Sequence, residues 1–319
     1  MIPRVAFREL RSVWFQVTGT LCNLACRHCF NASGPRDPWL ASLPADVVLR
    51  SIAEAEALGV RELYFTGGEP FLHPEILPLL EAALAVAPTT VLTNGTLIDA
   101  GLADALAALA ARSPYSLEVR VSLDAATAED NDAVRGRGTF ARAMAAIVRL
   151  SARGLPPIVT SVVELGGPIS VVEWGDPPQT PPAGQTPLAS ETRPAGQTPP
   201  AGSLWSGRAR YDELRETLIA AGVDKPRPKL LPVLPLGRCA GRAGERRLTP
   251  EDLEGFDTAR LQCTETRVVA AGGIYVCPIL AGLPGALVAG ETLAETLTPI
   301  ALDHAACVTC HETGVTCRN

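Results

Sequence analysis

Three cysteines fall within eight residues in Thr20-Leu21-Cys22-Asn23-Leu24-Ala25-Cys26-Arg27-His28-Cys29-Phe30. Spaced four and then three residues apart, their thiolates can converge on one centre. Three is one ligand fewer than a closed tetrahedral or four-iron site requires, and a site short of one ligand is prepared for chemistry. A zinc knuckle or a set of buried thiols is the other reading of the same spacing. A second candidate element is Gly67-Gly68-Glu69-Pro70. Adjacent glycines let a backbone approach a ligand closely or adopt positive φ, and Glu69 offers a carboxylate acceptor for an ammonium group. A third is the C-terminal set Cys263, Cys277, Cys307, Cys310 and Cys317.

The elements that must position these residues follow from the pattern of the chain. Up to Pro235, short β-branched runs alternate with longer Ala/Leu-rich runs, the pattern of βα units in a parallel sheet. Strands are expected near 13–18, 61–66, 90–93, 117–123, 158–163 and 229–234, and helices near 44–58, 74–86, 101–111, 140–153 and 209–221. Ser42 can cap the first helix with Pro44 in its opening turn, and Gly59, Gly154 and Gly222 stand where helices should stop. Six strands are too few for a closed eight-stranded barrel and suit an α/β partial barrel, (βα)6 and TIM-like, with its site at the carboxyl ends of the strands. The three-cysteine run follows the first strand and lies on that face.

Residues 174–207 interrupt the pattern with a Pro/Gly/Thr/Gln-rich stretch in which Pro182-Ala183-Gly184-Gln185-Thr186-Pro187 recurs from Pro194 to Pro199. So few apolar side chains cannot offset the entropy of ordering, and the stretch is expected to be a disordered insertion, with a proline-rich docking segment as the functional alternative. After Pro235 the composition turns Gly- and Arg-rich. The expected division is a core over 1–235 and a small cysteine-rich domain over 236–319.

The chain's 319 residues are 47% hydrophobic and 19% charged, enough to bury a full core, and the formal charge of −6 lacks the basic excess that a nucleic-acid backbone demands. No apolar run reaches the length of a membrane span and no signal-peptide pattern opens the chain, so the expected location is cytoplasmic. Nine cysteines in a reducing compartment point to metal or redox use rather than to disulfides.

Cys-x3-Cys-x2-Cys after a first strand resembles the signature of the radical S-adenosylmethionine (radical SAM) superfamily. The resemblance implies that Cys22, Cys26 and Cys29 hold a [4Fe-4S] cluster whose fourth iron chelates S-adenosylmethionine. Gly67, Gly68, Glu69 and Pro70 resemble the family's GGEP motif, which implies binding of the cofactor's amino group. Thr93-Asn94-Gly95 and Ser122-Leu123-Asp124 resemble its TNG and SLD elements, and 131–140 resembles its HDxxRG segment. By that resemblance Asn94, Ser122 and Arg135 are cofactor contacts, and His28 holds the position that packs on adenine. Ala125 and Asn131 depart from the family's usual Gly and His. For Arg135 and Arg137 the alternative is a solvated loop charge, and for His28 a structural histidine. His73 and His304 have no partner motif and are expected to be incidental.

In the tail, Gly272-Gly273 is a hairpin turn that can present Cys263 and Cys277 to one centre. The tail resembles the SPASM/Twitch auxiliary-cluster domains, with the gap from Cys263 to the glycine one residue short, and Pro235-Leu236-Gly237-Arg238 resembles the segment leading into them. The shorter Twitch form implies one auxiliary [4Fe-4S] cluster on Cys263, Cys277, Cys307 and Cys310, with Cys317 an alternative ligand or a spare and Cys239 a buried thiol. Two rivals are a structural zinc site and the Cys-x-x-Cys-His haem pattern at Cys307, which belongs outside the cytoplasm.

The resemblance implies a radical enzyme. Reductive cleavage of S-adenosylmethionine gives methionine and a 5′-deoxyadenosyl radical that abstracts a substrate hydrogen, and the auxiliary cluster assists an oxidation or bond-forming step. The expected substrate is a ribosomal peptide or protein. Alternatives are dehydrogenation of a small metabolite, a molybdopterin-type cyclase, and a non-enzymatic zinc or iron-sulfur protein. A flavodoxin- or ferredoxin-type electron donor is expected. With about twenty residues before the first cysteine, a peptide-recognition function is expected on a separate partner. No motif names a catalytic or substrate-contacting residue.

Overall fold

Val13, Phe15, Leu63, Phe65, Val91, Val119 and Val121 recur at alternate strand positions, and all are buried in one apolar cluster with Leu79, Leu80, Leu106 and Ile147 of the surrounding helices. The positions between them serve the other face: Trp14 stacks on Tyr64 with ring centroids 4.1 Å apart and joins a second cluster containing Val268 and Tyr275. A parallel sheet is covered on both faces, which is why strand 12–16 is buried at every position.

The computed structural model describes residues 1–36, 38–163, 203–240 and 246–314, the side chains of 203–206 excepted. In chain order the elements are β1 (Arg4–Val5), β2 (Ser12–Gln16), α1 (Ala45–Ala57), β3 (Glu62–Thr66), α2 (Ile76–Leu84), β4 (Thr89–Thr93), α3 (Ala100–Arg112), β5 (Leu117–Ser122), α4 (Ala128–Arg135), α5 (Thr139–Ser151), β6 (Ile158–Val163), α6 (Ser203–Ala220), β7 (Arg227–Pro232), β8 (Thr266–Ala270), β9 (Gly273–Tyr275), β10 (Ile300–Ala301) and α7 (Ala305–Thr313). The sheet order is β7-β6-β5-β4-β3-β2-β8-β9, parallel from β7 to β8, with β9 antiparallel. The expected six parallel strands of a partial barrel are present, and β8 extends them beside β2. β1 and β10 form a separate antiparallel pair.

Four details differ from the sequence reading. Ser42 does not cap α1; Pro44, with extended φ −63° and ψ 145°, is the N-cap without a side-chain bond, and its carbonyl accepts from Val47 and Val48. Residues 128–135, read in part as loop, are helix α4: Thr127 Oγ1 accepts from Asp130 N at 3.2 Å, a working N-cap. The insertion expected over 174–207 lies outside the described residues as far as 202, but 203–207 already belong to α6. The 266–275 hairpin is not a separate tail element, because β8 pairs with β2 from Ser12↔Thr266 to Phe15↔Val269. Among the described residues no helix is long and apolar enough to cross a membrane.

Leu63, fully buried at the centre of the sheet, should lose about 2–5 kcal/mol on replacement by Ala. Leu49→Ala, on the exposed side of α1, should change stability by less than about 0.5 kcal/mol in the same denaturant titration.

Candidate active site

The lobe after β2 is built by backbone closure. Cys22 N donates to Gly34 O at 3.0 Å and Gly34 N to Thr20 O at 3.1 Å, so residues 21–34 return to their starting point. Cys22 and Cys26 are buried with Leu24, and the half-buried Cys29 packs against them. The sulfurs receive amide donors: Leu24 N to Cys22 Sγ at 3.4 Å, Ser33 N to Cys29 Sγ at 3.3 Å, and Asn94 Nδ2 to Cys22 Sγ at 3.8 Å. Such donors stabilise thiolate and tune a bound cluster. Burial pushes the Cys22 thiol up to about 12 and that of Cys26 to about 11, so these thiols keep their protons until a cation displaces them. Among the described residues no three His, Cys, Asp or Glu side chains close on a point as one ion requires.

The end of β3 lies directly against this lobe. A Cβ on Gly68 would stand 2.1 Å from Leu21 O and 2.8 Å from Cys22 Cβ, and one on Gly67 (φ +151°) 2.2 Å from Thr18 Oγ1. Only glycine allows this approach, and Glu69 N completes it by donating to Leu21 O at 3.0 Å. The buried Glu69 carboxylate accepts from Phe71 N (3.2 Å), Thr93 Oγ1 (2.7 Å) and Asn94 N (2.8 Å). Two of its roughly four acceptor positions thus tie β3 to the end of β4 and a third caps the turn that follows, leaving one for an incoming ammonium. Burial raises this carboxyl to about 7 against the pull of those donors. Pro70 opens the turn 70–72. Asn94 carries the tie back to the lobe through Nδ2 to Asn23 Oδ1 at 2.8 Å.

At the end of β5 the organising group is Asp124. Its Oδ2 accepts from His28 Nε2 and Arg135 Nε, both at 2.6 Å, and its Oδ1 from Val162 N at 2.9 Å. Asp124 N donates to Asn131 Oδ1 at 3.0 Å, so Asn131 is a fully buried tie from α4 to the end of β5. Burial resists ionisation of Asp124, but Arg135 and His28 outweigh it and hold the carboxyl well below its usual range. Arg135 is buried, not a solvated charge; Arg137 is exposed. His28 keeps a second buried nitrogen, Nδ1, without a protein partner. Ser122 ends β5 half-buried, in register with Thr160. His73, expected to be incidental, is buried; its Nε2 donates to Leu43 O at 3.0 Å and its Nδ1 accepts from Glu75 N at 3.2 Å.

Residues 17–170 match the family model described as the radical SAM superfamily. Over that stretch the chain belongs to the radical SAM superfamily. It is similar to the mycofactocin maturase MftC of Mycobacterium ulcerans, 41% identical over 143 residues, which are 44% of this chain and 37% of that protein. It is also similar to the PqqA peptide cyclase of Ruegeria pomeroyi, at 33% over 144 residues, again 44% of this chain and 37% of that protein. The matched region thus spans little more than a third of these curated relatives. Among solved structures, anSMEcpe with bound AdoMet and Cp18Cys peptide superposes with a TM-score of 0.57 at 16% identity, over 90% of this chain and 80% of that one, a likeness of fold. The superfamily implies a [4Fe-4S] cluster and S-adenosylmethionine, and the three-thiol lobe with its amide donors and glycine cradle fits both.

Beyond the radical SAM motifs, one contact was not legible as a site residue. Arg238 Nη1 donates to Cys26 O at 2.9 Å and Nη2 to Ala32 O at 3.2 Å and Ser33 O at 2.7 Å, while its own N donates to Cys29 O at 3.0 Å. A Cβ on Gly237 (φ +55°) would stand 2.3 Å from Phe30 O. The Pro235-Leu236-Gly237-Arg238 segment therefore clamps the cysteine lobe from outside; an Arg after Gly beyond the last core strand was the available signal. Cys239, next in line, is fully buried. Cys263, Cys277, Cys307 and Cys310 all line one cavity with Leu261, Val276 and Ile279. Burial pushes the Cys263 thiol up to about 12. Cys317 lies outside the described residues.

Arg238→Ala leaves three carbonyls of the lobe without their donor, at about 1–3 kcal/mol. Hydrogen exchange should quicken across 21–34 and iron retention fall, with partial recovery in Arg238→Lys. Because folded Glu69 binds its proton more tightly than the ordinary carboxyl at 4.5, the chelator-treated chain should lose stability as pH rises from there through about 7. Thermal unfolding of Glu69→Gln should lack that slope.

Proposed function

We propose that this chain is a radical SAM maturase. In this reading it cleaves S-adenosylmethionine at a cluster on Cys22, Cys26 and Cys29 and carries out an oxidation or bond-forming step on a ribosomal peptide or protein. An auxiliary [4Fe-4S] cluster on Cys263, Cys277, Cys307 and Cys310 assists, within the segment 236–319 that follows the core 1–235. When bound, the cluster and S-adenosylmethionine supply a 5′-deoxyadenosyl radical that takes a hydrogen atom from the substrate.

The observation that carries the reading is the convergence of four tail cysteines on one cavity, in a chain that already holds a three-thiol radical SAM lobe. The relatives named as a maturase and a peptide cyclase support a peptide as substrate. Gly67, Gly68 and Pro70 shape the cradle, and the remaining acceptor position of Glu69 serves the amino group of S-adenosylmethionine. Asn94 and Ser122 line the strand ends, and His28 and Arg135 are held in place by Asp124.

The two cysteine sets lie toward opposite ends of the adjacent parallel strands β2 and β8. Cys22 follows β2, whereas Cys263 precedes β8, and the preceding backbone pairs Arg8 N with Thr264 O and Arg11 N with Glu265 O, level with the start of β2. The strand between them, Ser12–Gln16, spans roughly 13 Å. One apolar cluster reaches both, with Phe30 and Leu236 at one end and the four tail cysteines at the other. This separation favours an electron-relay role for the auxiliary centre over substrate binding at its iron.

Anaerobic reconstitution should give a brown, oxygen-sensitive protein that releases 5′-deoxyadenosine on reduction. Replacing Cys263, Cys277, Cys307 and Cys310 by Ala should halve the iron bound per chain. Unchanged iron would remove the auxiliary cluster from this reading, and zinc in its place would make the tail a structural site.

A further inference from the structure

Arg267, the second residue of β8, is fully buried, and all five of its N–H donors are in use. Nε donates to Thr296 O at 3.0 Å, Nη1 to Thr266 O at 2.7 Å and Cys263 O at 3.3 Å, and Nη2 to Thr296 O at 2.7 Å and Thr298 O at 3.1 Å. The Phe7 ring covers one face of the guanidinium, 4.0 Å from Cζ to the ring centroid. Every acceptor is a neutral backbone carbonyl. Among the described residues no carboxylate pairs with it; Glu265, two residues away, pairs with Arg8 at 3.1 Å and Arg11 at 3.8 Å instead.

The contrast with Arg135 is direct, since that buried guanidinium is neutralised by Asp124 at 2.6 Å. Carbonyl dipoles can solvate a buried cation but leave its net charge standing, and such a charge is costly unless an anion balances it. The candidate anion is next door. Arg267 holds the carbonyl of Cys263, whose thiol shares a cavity with Cys277, Cys307 and Cys310.

We propose that Arg267 is the built-in counter-charge of the auxiliary centre, a positioning residue that fixes the Cys263 backbone and raises the reduction potential of the cluster. The inference rests on the auxiliary-cluster reading above. A four-iron cluster on four thiolates is already anionic, and accepting one electron, here from the substrate radical as it is oxidised, adds a further negative charge. A fixed cation in a low-dielectric setting favours the reduced form. Lys would keep the charge with three donors in place of five.

The test is an EPR-monitored potentiometric titration of the intact reconstituted chain, with the Cys22→Ala, Cys26→Ala, Cys29→Ala chain identifying the auxiliary signal. In Arg267→Gln the reduced-to-oxidised ratio of that cluster at fixed potential should fall at least tenfold, a shift of about 59 mV to more negative values for one electron. Arg267→Lys should recover most of it. Phe7→Glu sets a carboxylate against the guanidinium while leaving its five hydrogen bonds in place, and should shift the midpoint the same way. An unchanged midpoint in iron-loaded Arg267→Gln overturns the proposal, as does an unchanged midpoint in Phe7→Glu should the first variant fail to fold. Metal analysis of the unaltered chain separates the other failure: absent iron, or zinc on the tail cysteines, refutes the auxiliary cluster before any variant is compared.

Discussion

A single buried carboxylate holds the carboxyl edge of the sheet together. Asp124 receives His28 from the cysteine lobe, Arg135 from α4 and Val162 N from β6, while its own N–H reaches Asn131 and its carbonyl accepts from Ser161 Oγ. Breaking a buried pair from one side strands the other charge, at about 3–5 kcal/mol, which is far more than a surface ion pair contributes. The lobe that presents Cys26 and Cys29 is therefore bound to β5, α4 and β6 through one anion. Glu69 performs the parallel task for β3 and β4, with backbone and hydroxyl donors in place of cations.

Electrostatics divides Arg135, Arg238 and Arg267 by what they face. Arg135 is neutralised by Asp124, and its position is fixed by that pairing. Arg238 and Arg267 instead spend their donors on carbonyls of cysteine-bearing segments, those of Cys26 and Cys263 among them. In a chain of formal charge −6, two guanidiniums with no carboxylate partner among the described residues stand beside cysteines of the proposed cluster sites, whose thiols would become anionic on binding metal. The same guanidinium geometry, five donors in a planar fork, serves backbone fixation and charge balance together.

Much of the fold was legible because its signals are local. The parallel strands announced themselves as short β-branched runs, and Gly59, Gly154 and Gly222 do stop helices, each at positive φ. The misjudged features depended on competition between signals. Ser42 looks like a cap, yet Pro44 is already extended and one residue before α1. The Thr127 cap was hidden by Asn131 and Asp132, weak helix formers whose side chains turn out to bond outward to Asp124 N, Thr139 and Phe140. The pairing of β8 with β2 joins residues some 250 apart in sequence, and nothing in either strand names the other.

The sequence by itself determined the chemistry: three cysteines one ligand short of closure, the double glycine before Glu69, and a second cysteine set in the tail, all fixed by residue type and spacing. Only the tertiary structure decided how those residues are held. It turned Glu69 and Arg135 inward onto the protein's own donors and acceptors, brought Arg238 back across the lobe, and placed the two thiol sets toward opposite ends of two neighbouring strands. The physical reason is range. Ligand spacing and backbone freedom are local properties, whereas the balance of buried charges is settled only when distant segments close around them.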